Sequence, residues 1–290
     1  KVIDEKISKG KTRSAKTEMS YLVKLKEYQS KISFNDMSVD FAREYDAWLT
    51  KKGNKRNTIS SNFKSIKAAL NKAVKFGVID FNPFSGFSVS GVNVEKDSLT
   101  IEQIKKLEDY KINARFVAMI RSRDMFLFSF YSAGMRYSDV CGLKWSNISG
   151  NDIVYTMSKS RDRSGGKRTV PLNQKSKDIL DKYKGNDDFY IFPPLYKCEG
   201  FSTYEIERKL HQNNAKINRA LRSLGKKIGL NFNLSMHIAK HTFADYAVKN
   251  GVGILILSKL LGHTNLSTTQ SYLKDFYNKE ESDTLNDLFK

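Results

Sequence analysis

The sequence predicts a mainly α-helical protein with a small β-sheet, built as two domains, and three observations carry that expectation. Apolar residues recur at three-and-four spacing over most of the chain. That period breaks where DIVYTM and KRTVPL, short runs of β-branched and aromatic residues, flank the basic segment KSRDRSGG as the arms of a hairpin flank its tip. Residues 82–98, NPFSGFSVSGVNVEKDS, hold proline, glycine and serine without a sustained period, which is the composition of a linker. A chain of 290 residues with 40% hydrophobic composition can bury one or two cores, and ordinary domain size favours two.

The elements follow in order. KTEMSYLVKLKEYQS, MSVDFAREYDAWLTKKG and NTISSNFKSIKAALNKAVKFG each end in polar or glycine punctuation, so residues 1–92 read as a helical bundle and 93–98 as the linker. Thr100 and Gln103 have capping-box spacing, so a helix opens the second domain, residues 99–275. RFVAMIRSRDMFLFSFYSAG is apolar over much of its length and reads as a central buried helix ending at Gly134. After the hairpin the chain is helical again through FSTYEIERKLHQNNAKINRALRSLGKKIG, AKHTFADYAVKNG, GILILSKLLG and STTQSYLKDFYNKEES. Gly262 ends one of these helices, His263 emerges from the turn, and Ser267 with Gln270 repeats the capping-box spacing.

Charge narrows the partners. Fifty basic residues against 31 acidic ones give a net charge of +19, and the pI is about 9.7. Nucleic acid is the expected partner for such an excess. Up to Val94 there are 18 basic and 9 acidic residues, so about half of the excess sits in the first domain. No apolar run is long enough to span a bilayer and no stretch reads as a secretory leader, so a membrane or secreted protein is not expected. Cys141 and Cys198 lie far apart without metal-ligand spacing, which speaks against a disulfide framework or zinc site and for the cytoplasm. The chain begins at Lys1 and not at methionine, so it is expected to be a fragment or trimmed chain whose true N-terminus is missing, and whether a further domain preceded it stays open.

Five pieces hold groups able to do chemistry. In SAGMRYSDVCGLKW, Arg136 follows Gly134 closely and Asp139, three residues on, is placed to hold the guanidinium. Lys159 stands at the mouth of the hairpin tip. In HIAKH, Lys240 is three residues from His237 and is expected to share its face, while His241 is four from His237. The helix lacks the glutamate that a metalloprotease places after its first histidine, so no metal is expected. His263 lies in KLLGHTNLSTT, and Tyr272 in the first turns of LSTTQSYLKDFY. Singly, each of these reads as a surface ion pair, a solvated lysine or a core aromatic.

In that order, however, with nine residues from His263 to Tyr272, the chain resembles the tyrosine recombinases, the phage-integrase family of site-specific DNA recombinases. The likeness runs through GMRYSDVCGLKW, KSRDRSGGKRTVPL, HIAKHTFADYAVKNG and LGHTNLSTTQSYLK, and the first domain resembles the family's core-binding domain. The resemblance extends to the integrases of conjugative transposons and other mobile elements. It implies an α+β catalytic domain behind the helical one, and cleavage and rejoining of DNA through a 3′-phosphotyrosyl intermediate without a cofactor. It also implies double-stranded DNA at a specific site as the partner, with a dimer on each site and a tetramer at synapsis in the bacterial cytoplasm. Tyr272 is then the nucleophile, Arg136 a phosphate clamp, and Lys159 the donor to the departing 5′ oxygen. His237 assists proton transfer and His263 bonds a phosphate oxygen or the tyrosine, with Asp139 and His241 in support. Lys240 is the departure, because the family's motif has arginine there. Lysine keeps the charge but loses the planar fork, so attenuated chemistry with DNA binding retained is expected. Natural variation and deliberate replacement both stand open as its origin. Residues 276–290 are expected to dock on a neighbouring protomer. Groove contacts are expected from Lys52, Lys55, Arg56, Asn57, Thr58 and Lys64 in the first domain, and from Arg161 and Arg163 on the hairpin tip. A type IB topoisomerase-like enzyme and a non-catalytic DNA-binding relative are the alternatives.

Overall fold

The computed structural model describes residues 2–8, 12–92, 94, 96–158, 166–262, 265–266 and 268–270. The chain divides into two compact units, Lys1–Glu95 and Lys96–Lys290. Among the described residues it is mainly helical with one three-stranded sheet, as expected.

The first unit contains α1 (Val2–Ser8), α2 (Thr12–Tyr28), α3 (Val39–Lys51) and α4 (Arg56–Lys75). Ser38 caps α3 by accepting the Phe41 N–H at 3.1 Å, and Phe41, Ala42, Tyr45 and Leu49 then form its buried stripe. Gly53 and Gly77, both left-handed, turn the chain after α3 and α4. The core is aromatic: Tyr45 packs edge-on to Phe63 at 5.7 Å and Phe41 stacks on Phe84 at 6.3 Å. Each such side chain contributes roughly 2 kcal/mol by burial. Burial also pushes the Tyr45 hydroxyl up to about 12, and that group receives a hydrogen bond from Asn62 at 3.1 Å. Beyond α4 the chain returns along the helix. Ser60 Oγ donates to the Val89 carbonyl at 2.7 Å, and the Asn57 amide bonds both the N–H and the carbonyl of Val92.

The second unit contains α5 (Ile101–Asp109), α6 (Val117–Tyr131), α7 (Tyr137–Cys141), β1 (Ile148–Ser149), β2 (Asp152–Thr156), β3 (Lys167–Pro171), α8 (Gln174–Asp181), α9 (Thr203–Lys227), α10 (Met236–Lys249) and α11 (Ile254–Leu261). Both halves of the Thr100–Gln103 capping box form at α5. Helix α6 is the centre. Asp124 through Phe130 are buried on every side of it, because α5, α8, α9 and α10 all pack against it. It stops at Tyr131, earlier than its apolar pattern suggests. The sheet is antiparallel in the order β1-β2-β3, with Ile153 opposite Val170 and Tyr155 opposite Arg168. Period-two alternation turns Ile153, Tyr155 and Met157 inward from one side of the hairpin and Arg168 and Val170 from the other. Helices α1 and α7 and strand β1 are too short for periodicity to reveal, and α8 holds only Ile179 and Leu180 as apolar residues. The hairpin tip, Ser267 of the second capping box and the tail 276–290 lie outside the described residues.

Candidate active site

The site begins at the turn that ends α6. Ala133 and Gly134 are both left-handed, at φ 57° and 65°. For alanine this costs about 1 kcal/mol, so the turn must be held from outside. The Ser129 hydroxyl donates to the Met135 carbonyl at 2.6 Å, and the Met135 N–H donates to the Ser129 carbonyl at 3.1 Å. On the other side Arg168 Nη2 donates to the Ala133 carbonyl at 2.9 Å. Gly134 is required twice over, because a Cβ there would lie 3.0 Å from Lys240 Cα and 3.2 Å from its Cγ. The turn therefore rests directly on α10.

Arg136 leaves this turn half-buried, and its carbonyl accepts the N–H groups of Asp139 and Val140, which starts α7. Its guanidinium donates from Nη1 to Met157 Sδ at 3.5 Å. Sulfur is a weak acceptor, and among the described residues no carboxylate pairs with Arg136, so its fork stays available to an anion. The expectation that Asp139 holds this guanidinium is corrected. Asp139 is 5% exposed, and its Oδ1 accepts the Ser158 N–H at 2.8 Å, while the two hydroxyls of Ser138 and Ser158 meet at 2.7 Å. Its carboxylate thus fixes the strand end just before Lys159 and not the arginine.

Helix α10 carries the histidine motif. His237 is exposed and stands edge-on to half-buried His241, with ring centroids 4.5 Å apart. Burial, then the neighbouring His237, Lys96 and Lys240, push the His241 imidazole down to about 4, so it is neutral near pH 7. Lys240 does not share the exposed face of His237, contrary to expectation. It is 5% exposed and turned inward, with Nζ donating to the Leu261 carbonyl at 3.1 Å. The ammonium therefore sits on the last turn of α11, where the helix dipole favours a cation. Residues that open the second unit are stitched to the same helix. The Leu99 N–H donates to Thr242 Oγ1 at 3.1 Å and the Ser98 hydroxyl to Asp245 at 3.2 Å.

Gly262 ends α11 in the left-handed region, and a Cβ there would come within 2.6 Å of Met157 Sδ and 3.4 Å of Arg168 Cδ. One sulfur thus lies against both the Arg136 guanidinium and the turn that leads to residue 263. Lys159, Arg161, Arg163, His263 and Tyr272 lie outside the described residues. Sequence reasoning missed Met157, Ser158 and Arg168. For Arg168 a signal was present: it alternates with Val170, a charged residue on the inward face of a period-two strand.

The groove candidates of the first unit separate into two groups. The Asn57 amide is committed to the backbone of Val92, Arg56 Nη1 pairs with Asp46 at 2.6 Å, and Lys52 pairs with Glu27 at 2.8 Å over the Trp48 ring. The polar ends of these three are engaged within the first unit. Lys55, Thr58 and Lys64 are exposed along the start of α4 and remain suited to phosphate contact.

Comparison with known proteins points one way. Residues 97–279 match the model of the Phage integrase family, and residues 1–90 that of the Phage integrase SAM-like domain. The chain is similar to tyrosine recombinase XerC of Thermodesulfovibrio yellowstonii, at 26% identity over 76% of this chain and 72% of that one. It is also similar to a tyrosine recombinase of Pseudothermotoga lettingae, at 27% identity over 94% of this chain and 92% of that one. Its fold is similar to that of lambda integrase, solved as a dimer bound to a COC′ core site, with a TM-score of 0.67 at 18% identity, covering 90% of this chain and 88% of that one.

Proposed function

The chain belongs to the phage integrase family, and from that membership we propose that it is a site-specific recombinase whose nucleophile is Tyr272. The tyrosine oxygen attacks a DNA phosphorus, the P–O5′ bond breaks, and a 3′-phosphotyrosyl link and a free 5′ hydroxyl result. One phosphodiester is exchanged for another, so no nucleotide or metal is required. A phenol has a pKa near ~10, so the attack needs a proton acceptor, and His237 is the exposed base on α10. Lys159 protonates the departing 5′ oxygen. Negative charge accumulates on the phosphate oxygens, and donors already aimed at them are worth several kcal/mol, roughly 3 for each. Arg136 is the principal donor, and His263 is a second.

The observation that carries this reading is the Arg136 guanidinium itself. It is half-buried, positioned by a turn that costs backbone energy, and its only hydrogen-bond partner among the described residues is a thioether. Asp139 takes the role of supporting the Lys159 segment. Lys240 occupies the second arginine position of the family motif with its ammonium on the Leu261 carbonyl, so the clamp is weaker than an arginine pair would make it. Lys55, Thr58 and Lys64 meet the phosphate backbone of double-stranded DNA, together with Arg161 and Arg163. Two protomers occupy a site and four form the synapse, as the apolar residues Phe276, Leu285, Leu288 and Phe289 of the tail suit a neighbouring protomer. Among the described residues no helix is long and apolar enough to cross a membrane, in keeping with a DNA-associated protein of the bacterial cytoplasm.

The test uses a pool of duplexes with randomised sequence around a nick, so that cleavage next to the nick releases a short strand and traps the protein. Covalent DNA on Tyr272, recovered and sequenced, is the expected result, and it also yields the target site. No adduct, or an adduct that survives Tyr272→Phe, overturns the assignment.

A further inference from the structure

Arg168 is 6% exposed, yet among the described residues no carboxylate pairs with it and its Nε has no hydrogen-bond partner. A guanidinium is expensive to bury in this state, and an apolar side chain of like volume would fill the space at lower cost. What the charge holds together is specific. Nη2 donates to the Ala133 carbonyl in the left-handed turn before Arg136, and Nη1 donates to the Tyr155 hydroxyl on β2, both at 2.9 Å. The Cδ methylene lines the close approach at Gly262, the residue before His263. Three segments that lead to Arg136, Lys159 and His263 thus converge on one side chain. Local rules broken at a cost are expected where geometry serves function.

We propose that Arg168 is a positioning residue that sets the phosphate clamp: by holding the Ala133 carbonyl it fixes the direction in which Arg136 leaves its turn. The inference rests on the reading of Arg136 as a phosphate ligand. A lysine in its place reaches one of the two acceptors and not both, and methionine reaches neither.

The test compares single-turnover cleavage of the recovered target duplex with that of the same duplex carrying a methylphosphonate at the cleaved position. The methyl group removes the negative oxygen that Arg136 serves, so a defect arising at Arg136 shrinks on that substrate, whereas a general loss of folded enzyme lowers both rates equally. Arg136→Ala serves as the reference. Arg168→Met is expected to slow cleavage of the natural linkage by at least about tenfold, as misplaced catalytic groups do, with DNA affinity unchanged and most of the defect gone on the methylphosphonate. Arg168→Lys is expected to fall between wild type and Arg168→Met, and it supplies the same comparison should the methionine variant fail to fold. Equal defects on both substrates, with Arg136→Ala rescued, overturn the positioning role alone. If Arg136→Ala itself is not rescued, the clamp reading fails and the inference with it.

Discussion

At residue scale, Lys240 and His241 on α10 each carry a prediction. Lys240 offers one rotating donor where a planar fork is the family pattern, so Lys240→Arg is expected to raise suicide-substrate cleavage by about tenfold, near the value of one directed hydrogen bond to a charged group. Equal rates for the two proteins would remove the attenuation argument. His241 makes a pH prediction. Its folded pKa, about 4, lies below the ordinary value of 6.5. Above 6.5 both folded and unfolded forms are neutral and nothing is lost. As pH falls from 6.5 toward 4 the unfolded chain takes up a proton that the folded one does not, and stability declines. Melting temperature followed across that window should fall less steeply in His241→Gln than in the parent, and parallel curves would contradict the shift. Of the order Arg, Lys, His, His, Tyr that suggested the site, Arg136 and His237 fall among the described residues. The partners of Asp139 and Lys240 were not legible in the sequence, because sequence spacing reports which residues share a helical turn and not which of them face a neighbouring element.

At the scale of elements, long amphipathic helices and the hairpin could be read directly, because each buries one stripe or one face. The capping box at Thr100 added an exact start. Helices α1, α7 and α8 could not be read, since α1 and α7 span two turns or fewer and α8 offers only Ile179 and Leu180 as apolar residues. Helix α6 began and ended inside its apolar run for a different reason: it is surrounded, so hydrophobicity continues past the helix into the turn that packs on α10. The contact of α4 with the returning chain yields a prediction that separates stability from DNA binding. Asn57→Ala removes both bonds to Val92 and is expected to lower the stability of the first unit by about 1 kcal/mol. Lys55→Ala and Lys64→Ala should leave stability alone and weaken DNA binding, with a reduced dependence on salt. Denaturant melts and binding titrations at two salt concentrations distinguish them, and a loss of affinity confined to Asn57→Ala would restore it as a groove contact.

At the scale of the whole molecule, the division of labour was visible in charge before any coordinate: the first unit carries about half of the positive excess, and the second carries the reactive groups. What composition does not encode is how copies assemble. On α11, Leu255 and Ile256 are 71% and 61% exposed, an apolar edge of the kind that an apolar tail from a second copy would cover. Deleting residues 277–290 is therefore expected to reduce the pairing of two sites more than the binding of one. Band-shift titration against a paired-end assay measures both, and unchanged pairing would place the tail on its own domain.

The close approach of Gly134 to α10 has a consequence for descent. The atoms it presses on, Cα, Cβ and Cγ of Lys240, are common to lysine and arginine, whose codons differ by a single base. Packing at this contact therefore does not distinguish the two. The choice falls instead on the buried charged end, where the ammonium donates to the Leu261 carbonyl and a broader guanidinium would have to find room and partners of its own.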